Sequence, residues 1–187
     1  MGAYTSTAQV WYPDTSDPAK LDTLLSTMAS SIENGLGARM TKAETNKSLL
    51  ATVAAGSTWA LANGTEATVP YAINSGNYNN GFTLTGGIVT INTPGLYDVT
   101  ASGLTDMTSG YADLRLYKNA GVVSRDLGAS TTAGGGFAST KTACTMEFAA
   151  GDTVRVTLTV NGVAATAKIH TGQQTYNVLA ISLIRAM

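Results

Sequence analysis

The chain offers few side chains suited to chemistry. Its single histidine, His170, sits in Ala167-Lys-Ile-His-Thr-Gly, a polar approach to a turn. There it reads as a surface or loop histidine; the sharper alternative is a pH-responsive contact in an assembly. With the single cysteine, Cys144, it falls short of a zinc site, and Cys144 has no partner for an intrachain disulfide. Carboxylates could pair as in glycosidases, but Asp98, Asp106, Asp113, Glu147 and Asp152 are scattered with no spacing that joins two of them. Asp152, in Ala149-Ala-Gly-Asp-Thr-Val, reads as a turn residue that starts a strand. Asp106 and Asp113 bracket a Gly-containing loop whose Asp and Asn density is too low for a calcium site. No Gly-x-Ser-x-Gly, His-Glu-x-x-His or Walker pattern occurs. Gly134-Gly135-Gly136 lies between two strand candidates, lacks the strand-to-helix setting of a phosphate loop, and reads as a mobile loop. The expectation is no enzyme, no metal and no cofactor.

Binding chemistry is the remaining possibility. Only 12 % of residues are charged, about half the usual ~25 %, and 11 basic against 12 acidic side chains leave a net charge of -1. That excludes an electrostatic nucleic-acid surface. The aromatics Tyr71, Tyr78, Phe82, Tyr97, Tyr111, Tyr117, Phe137 and Tyr176 have no clustered Lys or Arg among them. Some should fill a core and others an interface. Tyr78, Tyr111 and Phe137 are the candidates for exposed ligand loops that stack on a sugar.

The elements that must position these residues come in three textures. Residues 1–16 form an N-terminal arm without period, in which Trp11 and Tyr12 call for a docking surface. Residues 17–56 read as a helical segment for attachment and trimerisation. Asp17-Pro18 starts a helix, since Asp accepts from the free N–H groups of the first turn and Pro lacks the N–H that would be unpaired there. Leu21, Leu25, Met28 and Ile32 then follow at coiled-coil spacing, and Gly35 and Gly37 favour a C-cap. Such a helix needs a partner, either its own domain or two further copies around an axis. A second, weaker helix is expected from Thr41, where Thr41-Lys-Ala-Glu44 forms a capping box ahead of Leu49, Leu50 and Val53, with Gly56 as its stop.

Residues 65–187 switch to a period of two. Val69 to Ile73, Ile88 to Ile91 and Leu96 to Ser102 read as strands between Asn- and Gly-containing turns. Ala112, Leu114 and Leu116 alternate with polar neighbours ahead of an Asn119-Ala-Gly121 turn, which makes a hairpin. Val154, Val156, Leu158 and Val160 lead to Asn161-Gly162, a hairpin signal. Val178 to Ile184 is nearly continuous apolar and should lie centrally, both faces covered. The fold class is mainly β, a sandwich or jelly roll behind an extended arm and a short helical segment. No apolar run approaches the ~20 residues that span a bilayer. The first ten residues have neither a basic nor a hydrophobic region, so signal-peptide export is not expected. Met1 to Ser6 fits the loose N-myristoylation pattern, which chance often produces and which matters only in a eukaryotic cell.

Gly86-Gly-Ile-Val-Thr-Ile-Asn-Thr-Pro-Gly-Leu-Tyr97-Asp-Val-Thr-Ala-Ser resembles the strand-turn-strand signature of the trimeric jelly roll shared by tumour necrosis factor and the complement globular head. Leu114-Arg-Leu-Tyr-Lys-Asn-Ala-Gly, Phe148-Ala-Ala-Gly-Asp-Thr-Val-Arg-Val and Val178-Leu-Ala-Ile-Ser-Leu-Ile follow in the order of that family. The closing strand departs from the family's aromatic-rich ending. Residues 11–44, from Trp11-Tyr12-Pro13-Asp14 through Ser16-Asp17-Pro18-Ala19 to Thr-Lys-Ala-Glu, are similar to the attachment segment of tailed-bacteriophage virion proteins.

Together the two resemblances imply a homotrimeric virion surface protein assembled in the host cytoplasm. It would be held to capsid or tail proteins by its N-terminal segment, with the jelly roll exposed as a capsid decoration or a receptor-binding appendage. Its partners are then itself and other virion proteins, with no nucleic acid and no membrane. The alternative is a lectin-like module for host-surface glycans. A polysaccharide depolymerase would need paired carboxylates across a cleft, and Glu147, Asp113 and Asp106 each singly exposed would remove it.

Overall fold

In the first of two units, Met1–Glu44, β1 (Ala3–Tyr4) pairs antiparallel with β2 (Trp11–Tyr12), Ala3 opposite Tyr12 and Tyr4 opposite Trp11. The arm expected to be without regular structure thus contains a small strand pair, made by backbone groups that no side-chain period announces. Residues 26–32 are helical, and all seven are exposed. The computed structural model describes residues 3–4, 11–12, 26–32, 47–57, 59–129, 136–163 and 167–187.

The second unit, Thr45–Met187, is built of strands. In chain order these are β3 (Ser48–Thr52), β4 (Ala60–Leu61), β5 (Ala67–Thr68), β6 (Tyr78–Asn80), β7 (Phe82–Thr85), β8 (Ile88–Ile91), β9 (Gly95–Met107) and β10 (Tyr111–Lys118). Then come β11 (Gly121–Ala129), β12 (Gly136–Phe148), β13 (Thr153–Asn161), β14 (Ala167–Ile169), a 3-10 turn at Gln174–Tyr176, and β15 (Val178–Ala186). One sheet has the order β11-β10-β13-β8-β7, with β5 also on β13. The other runs β4-β14-β9-β15-β3-β6, with β12 on the free side of β9. All the ladders between these strands are antiparallel, and the two sheets share one core as a jelly-roll sandwich.

Alternation decides which side chains enter that core. Along β9, Tyr97, Val99, Ala101, Thr105 and Met107 point inward, while Leu96, Asp98, Thr100, Ser102, Leu104 and Asp106 take the outer face. Opposite them Ala112, Leu114, Leu116, Val154, Val156, Leu158 and Val160 come from the other sheet. Tyr97 is fully buried between Phe82 and Phe148, edge to face at 5.9 Å to each ring centroid, and its hydroxyl donates to Thr93 O at 2.7 Å. Each such ring pair adds about 1 kcal/mol to the area it buries.

The expected hairpin at Asn119-Ala-Gly121 is present, with Asn119 at φ 54°. Asp152 accepts from Ala149 N at 2.8 Å and from Asn119 Nδ2 at 2.8 Å, the turn role its context predicts.

Five expectations need correction. Val69 to Ile73, expected as a strand, lies between β5 and β6, with an isolated bridge from Ala72 to Thr52. The helix expected from Thr41 through Val53 is instead strand β3 where it is described, because β15 and β6 offer its backbone a ladder on each side and Leu49 and Ala51 alternate into the core. Asn161-Gly162 does not close a hairpin onto β13. The free side of β13 at Val160 is taken by Asn63 and Gly64, so the chain crosses to β14 in the other sheet. β15 is central, but only one face is covered: Leu179 and Ile181 are buried and Ile184 is 56 % exposed. Gly136, expected in a loop, opens β12.

Along one side the sandwich is closed by side chains. Asp126 Oδ2 accepts from the Lys141 backbone N–H at 2.7 Å, and Thr142 Oγ1 donates to Ser124 Oγ at 2.6 Å. These bonds join β11 to β12 and occupy edge groups that would otherwise be free to pair with another chain.

Candidate functional site

The outer faces of the two sheets differ in chemistry. On the β10 face, Asp113 is 1 % exposed beneath two guanidiniums. Arg115 donates to its Oδ2 from Nε at 2.9 Å and from a terminal nitrogen at 2.6 Å, and Arg125 reaches Oδ1 at 2.7 Å and Oδ2 at 2.8 Å. Burial alone would raise the Asp113 pKa, but the hydrogen bonds from Arg125 and Arg115 together hold it below the ordinary 3.8. Arg115 also bonds Glu66 at 3.2 Å, and Glu66 accepts from the Tyr117 hydroxyl at 2.8 Å. The Arg155 guanidinium lies 4.5 Å from the Tyr117 ring centroid. The Asp113 and Glu66 carboxylates are both engaged by these partners, whereas Arg155 Nε is buried without a hydrogen-bond partner among the described residues.

The other outer face is different. A single row crosses five strands: Ala143 of β12 faces Thr100 of β9, Thr100 faces Ala180 of β15, Ala180 faces Leu50 of β3, and Leu50 faces Tyr78 of β6. None of these residues is charged, none is buried, and Tyr78 is 51 % exposed.

Six residues beyond Thr100 on β9, about 20 Å away at ~3.4 Å per residue, lies a second row, Phe137 of β12 opposite Asp106 of β9 opposite Lys168 of β14. His170 follows Lys168 by two, and its Nδ1 is 2.7 Å from Asp106 Oδ1. Since the carboxylate accepts, Nδ1 carries a proton and Nε2 is the acceptor of the neutral ring. Lys168 Nζ lies 3.7 Å from Asp106 Oδ2. The imidazole touches Phe137 edge to face at 4.8 Å and Tyr176 at 5.3 Å between centroids.

Its backbone is held by fully buried Asn177, whose Nδ2 donates to His170 O at 2.7 Å while its Oδ1 accepts from Leu104 N at 2.9 Å. Thr171 Oγ1 donates to Ser57 O. Asp106, Lys168, His170 and Thr171, with Gly56 and Ser57, line a recess of about 240 Å³.

Sequence reasoning missed this cluster. It took His170 as a lone loop residue and Asp106 as a loop carboxylate 64 residues away, and no local pattern joins them. The three candidate ligand aromatics do not converge. Tyr78 and Phe137 lie four strands apart across one sheet and six residues apart along it, roughly 28 Å from ~4.8 Å per strand and ~3.4 Å per residue, and Tyr111 is in the other sheet opposite Ala129 and Asn161.

Nor do the carboxylates pair. Glu147 faces Leu96, ten residues along β9 from Asp106 and about 33 Å away by strand rise, whereas glycosidase pairs sit roughly 5–9.5 Å apart. Nor are the three singly exposed: Asp113 is buried under arginine and Asp106 is bound to His170.

Among the described residues no three His, Cys, Asp or Glu gather to hold a metal ion, and no helix is long and apolar enough to cross a membrane. Burial, with some contribution from Asp98, pushes the Cys144 thiol up, away from its reactive form.

The seam residues Met28 and Ile32 are helical and 53 % and 59 % exposed, while Leu21 and Leu25 lie outside the described residues. Trp11 and Tyr12 form β2, and their side chains lie outside what is described.

No family model matches the chain, and no curated protein does. Among solved structures it is similar to murine APRIL in crystals at pH 5.0 and pH 8.0, each with TM-score 0.57 and 13 % identity over 74 % of this chain and 99 % of that one. A third murine APRIL crystal structure, at pH 8.5, gives TM-score 0.55 at 13 % identity, covering 74 % and 100 %. At that identity the likeness establishes the fold, a jelly roll of tumour necrosis factor type.

Proposed function

We propose that this chain is a structural, non-enzymatic component of a phage virion. It is a homotrimer attached to capsid or tail by its N-terminal segment, with the jelly roll exposed as a knob, and it is assembled in the host cytoplasm. The observation that carries the self-association is the five-strand row Ala143, Thr100, Ala180, Leu50, Tyr78. Small and uncharged at its centre, with Leu50 and Tyr78 at one end, the row lets a second copy approach the sheet closely, and charge enters the face only two residues to either side, at Asp98 and Lys141. A surface that meets a different surface on the next copy closes into a ring when the rotation is right, and three is the ring size of the family that residues 65–187 resemble. The exposed Met28 and Ile32 offer a second seam for self-association. The virion assignment is supported by the resemblance of residues 11–44 to phage attachment segments.

Light scattering on the protein with and without residues 1–40 tests the assembly. Three times the 19.2 kDa chain mass in both places the association in the jelly roll. A trimer that becomes monomeric on truncation places it in the helix, and a monomer throughout overturns the trimeric knob. Deleting residues 1–16 should leave the knob folded and excluded from particles. Normal incorporation of that truncated protein would contradict the attachment role.

A further inference from the structure

We propose that the recess beside His170 binds one ring of a neutral saccharide, a function separate from the trimer contact and about 20 Å from its central row. Three groups border the recess with hydrogen-bonding capacity unspent. Asp106 Oδ2 makes only the long 3.7 Å approach to Lys168, Lys168 Nζ is the donor of that pair, and His170 Nε2 makes no hydrogen bond with a described residue. Acceptor, donor and acceptor on one rim match adjacent sugar hydroxyls, each of which both donates and accepts. Lys168 and Asp106 cancel in charge, which favours a neutral ligand. Phe137 and Tyr176, 48 % and 36 % exposed, do not line the recess itself but flank the His170 ring at its border, where their apolar surface can meet the C–H face of a pyranose that reaches past the imidazole.

Gly172 carries the point further. A β carbon there would come within 2.8 Å of His170 Nε2, yet Gly172 is not among the positive-φ glycines, so the turn itself does not demand glycine. What the missing side chain does is leave Nε2 open to the recess. The volume, about 240 Å³, is below the ~300 Å³ at which pockets for drug-sized ligands begin, so it suits one ring of a longer glycan.

The test is a titration of the full chain, followed by amide NMR shifts, with methyl glycosides of glucose, galactose, mannose, rhamnose and N-acetylglucosamine, and with sialyllactose as the charged comparison. The expected result is saturable binding of at least one neutral glycoside, with shifts at Phe137, Lys168 and His170. Affinity should fall about tenfold in Asp106→Asn and Phe137→Ala, roughly 1.4 kcal/mol, and should be lost in Gly172→Ala, while Tyr78→Ala and Tyr111→Ala bind as the parent does. Melting curves show that each variant is folded, and Phe137 and Gly172, both exposed, are positions where folding should survive. Absence of saturable binding by every neutral glycoside would overturn the proposal. So would parental binding by folded Gly172→Ala and Phe137→Ala, or a preference for sialyllactose. Light scattering on the same samples keeps the two readings apart: a trimer that binds no sugar removes only this one, and a monomer that binds sugar removes only the trimer.

Discussion

Replacing Asp113 by Asn removes one charge from a group that is 1 % exposed, and keeps its shape. Arg115 and Arg125 are register partners across β10 and β11, so two like charges face each other and only Asp113 lies between them. Four charge-assisted bonds converge on its carboxylate. Breaking a fully buried ion pair costs about 3–5 kcal/mol. Here the guanidinium-bearing side chains are 30 % and 48 % exposed and regain water, and the Asn oxygen still accepts, so the loss falls to about 2–3 kcal/mol.

In a chain of this length that lowers the melting temperature by roughly 5–10 °C, measured at one protein concentration because assembly would shift it. The pH dependence has a definite sign. The Asp113 pKa is lower folded than unfolded, so its contribution is fully present above the unfolded value of 3.8 and is lost as pH falls through the folded value. Urea melts of parent and variant should therefore differ at pH 7 and converge in acid below 3.8. A difference under about 0.5 kcal/mol at pH 7, or one that survives unchanged in strong acid, would refute the reasoning.

Ala180→Arg places a charge in the centre of the uncharged row and should reduce the light-scattering mass to that of one chain, with the melting curve of the isolated fold retained. Leu25→Asp and Ile32→Asp should also weaken assembly if the helical seam contributes, and unchanged trimer mass in both would remove that role. Gly128→Ala drives a methyl group into Ser139 O where β11 meets β12, so it should destabilise by about 1–3 kcal/mol, and hydrogen exchange at Lys141, whose N–H is held by Asp126, should accelerate.

What the sequence by itself determined is local. The β10–β11 hairpin was legible because its apolar residues alternate and Asn119-Ala-Gly121 supplies the turn, and Asp152 was legible as a turn residue because its partner Ala149 lies three residues away in the same turn. Strands and turn residues repeating at short intervals gave a sandwich or jelly roll, and the ordered resemblance of Gly86 to Ser102 and the later segments selected the jelly roll. What only the tertiary structure decided is pairing between segments far apart in the chain. Ser48–Thr52 carries helix-compatible residues and a helix-like start upstream, yet becomes a strand because β15, about 130 residues later, lies beside it. Asn161-Gly162 has hairpin residues, but a hairpin also needs a free edge, and Asn63 and Gly64 occupy it. His170 and Asp106 meet across 64 residues because β14 takes a place beside β9, and Asp113 is buried because Arg125 comes from the neighbouring strand. Side-chain period is a property of one strand, whereas a site is a property of the register between strands, which is set when the core closes.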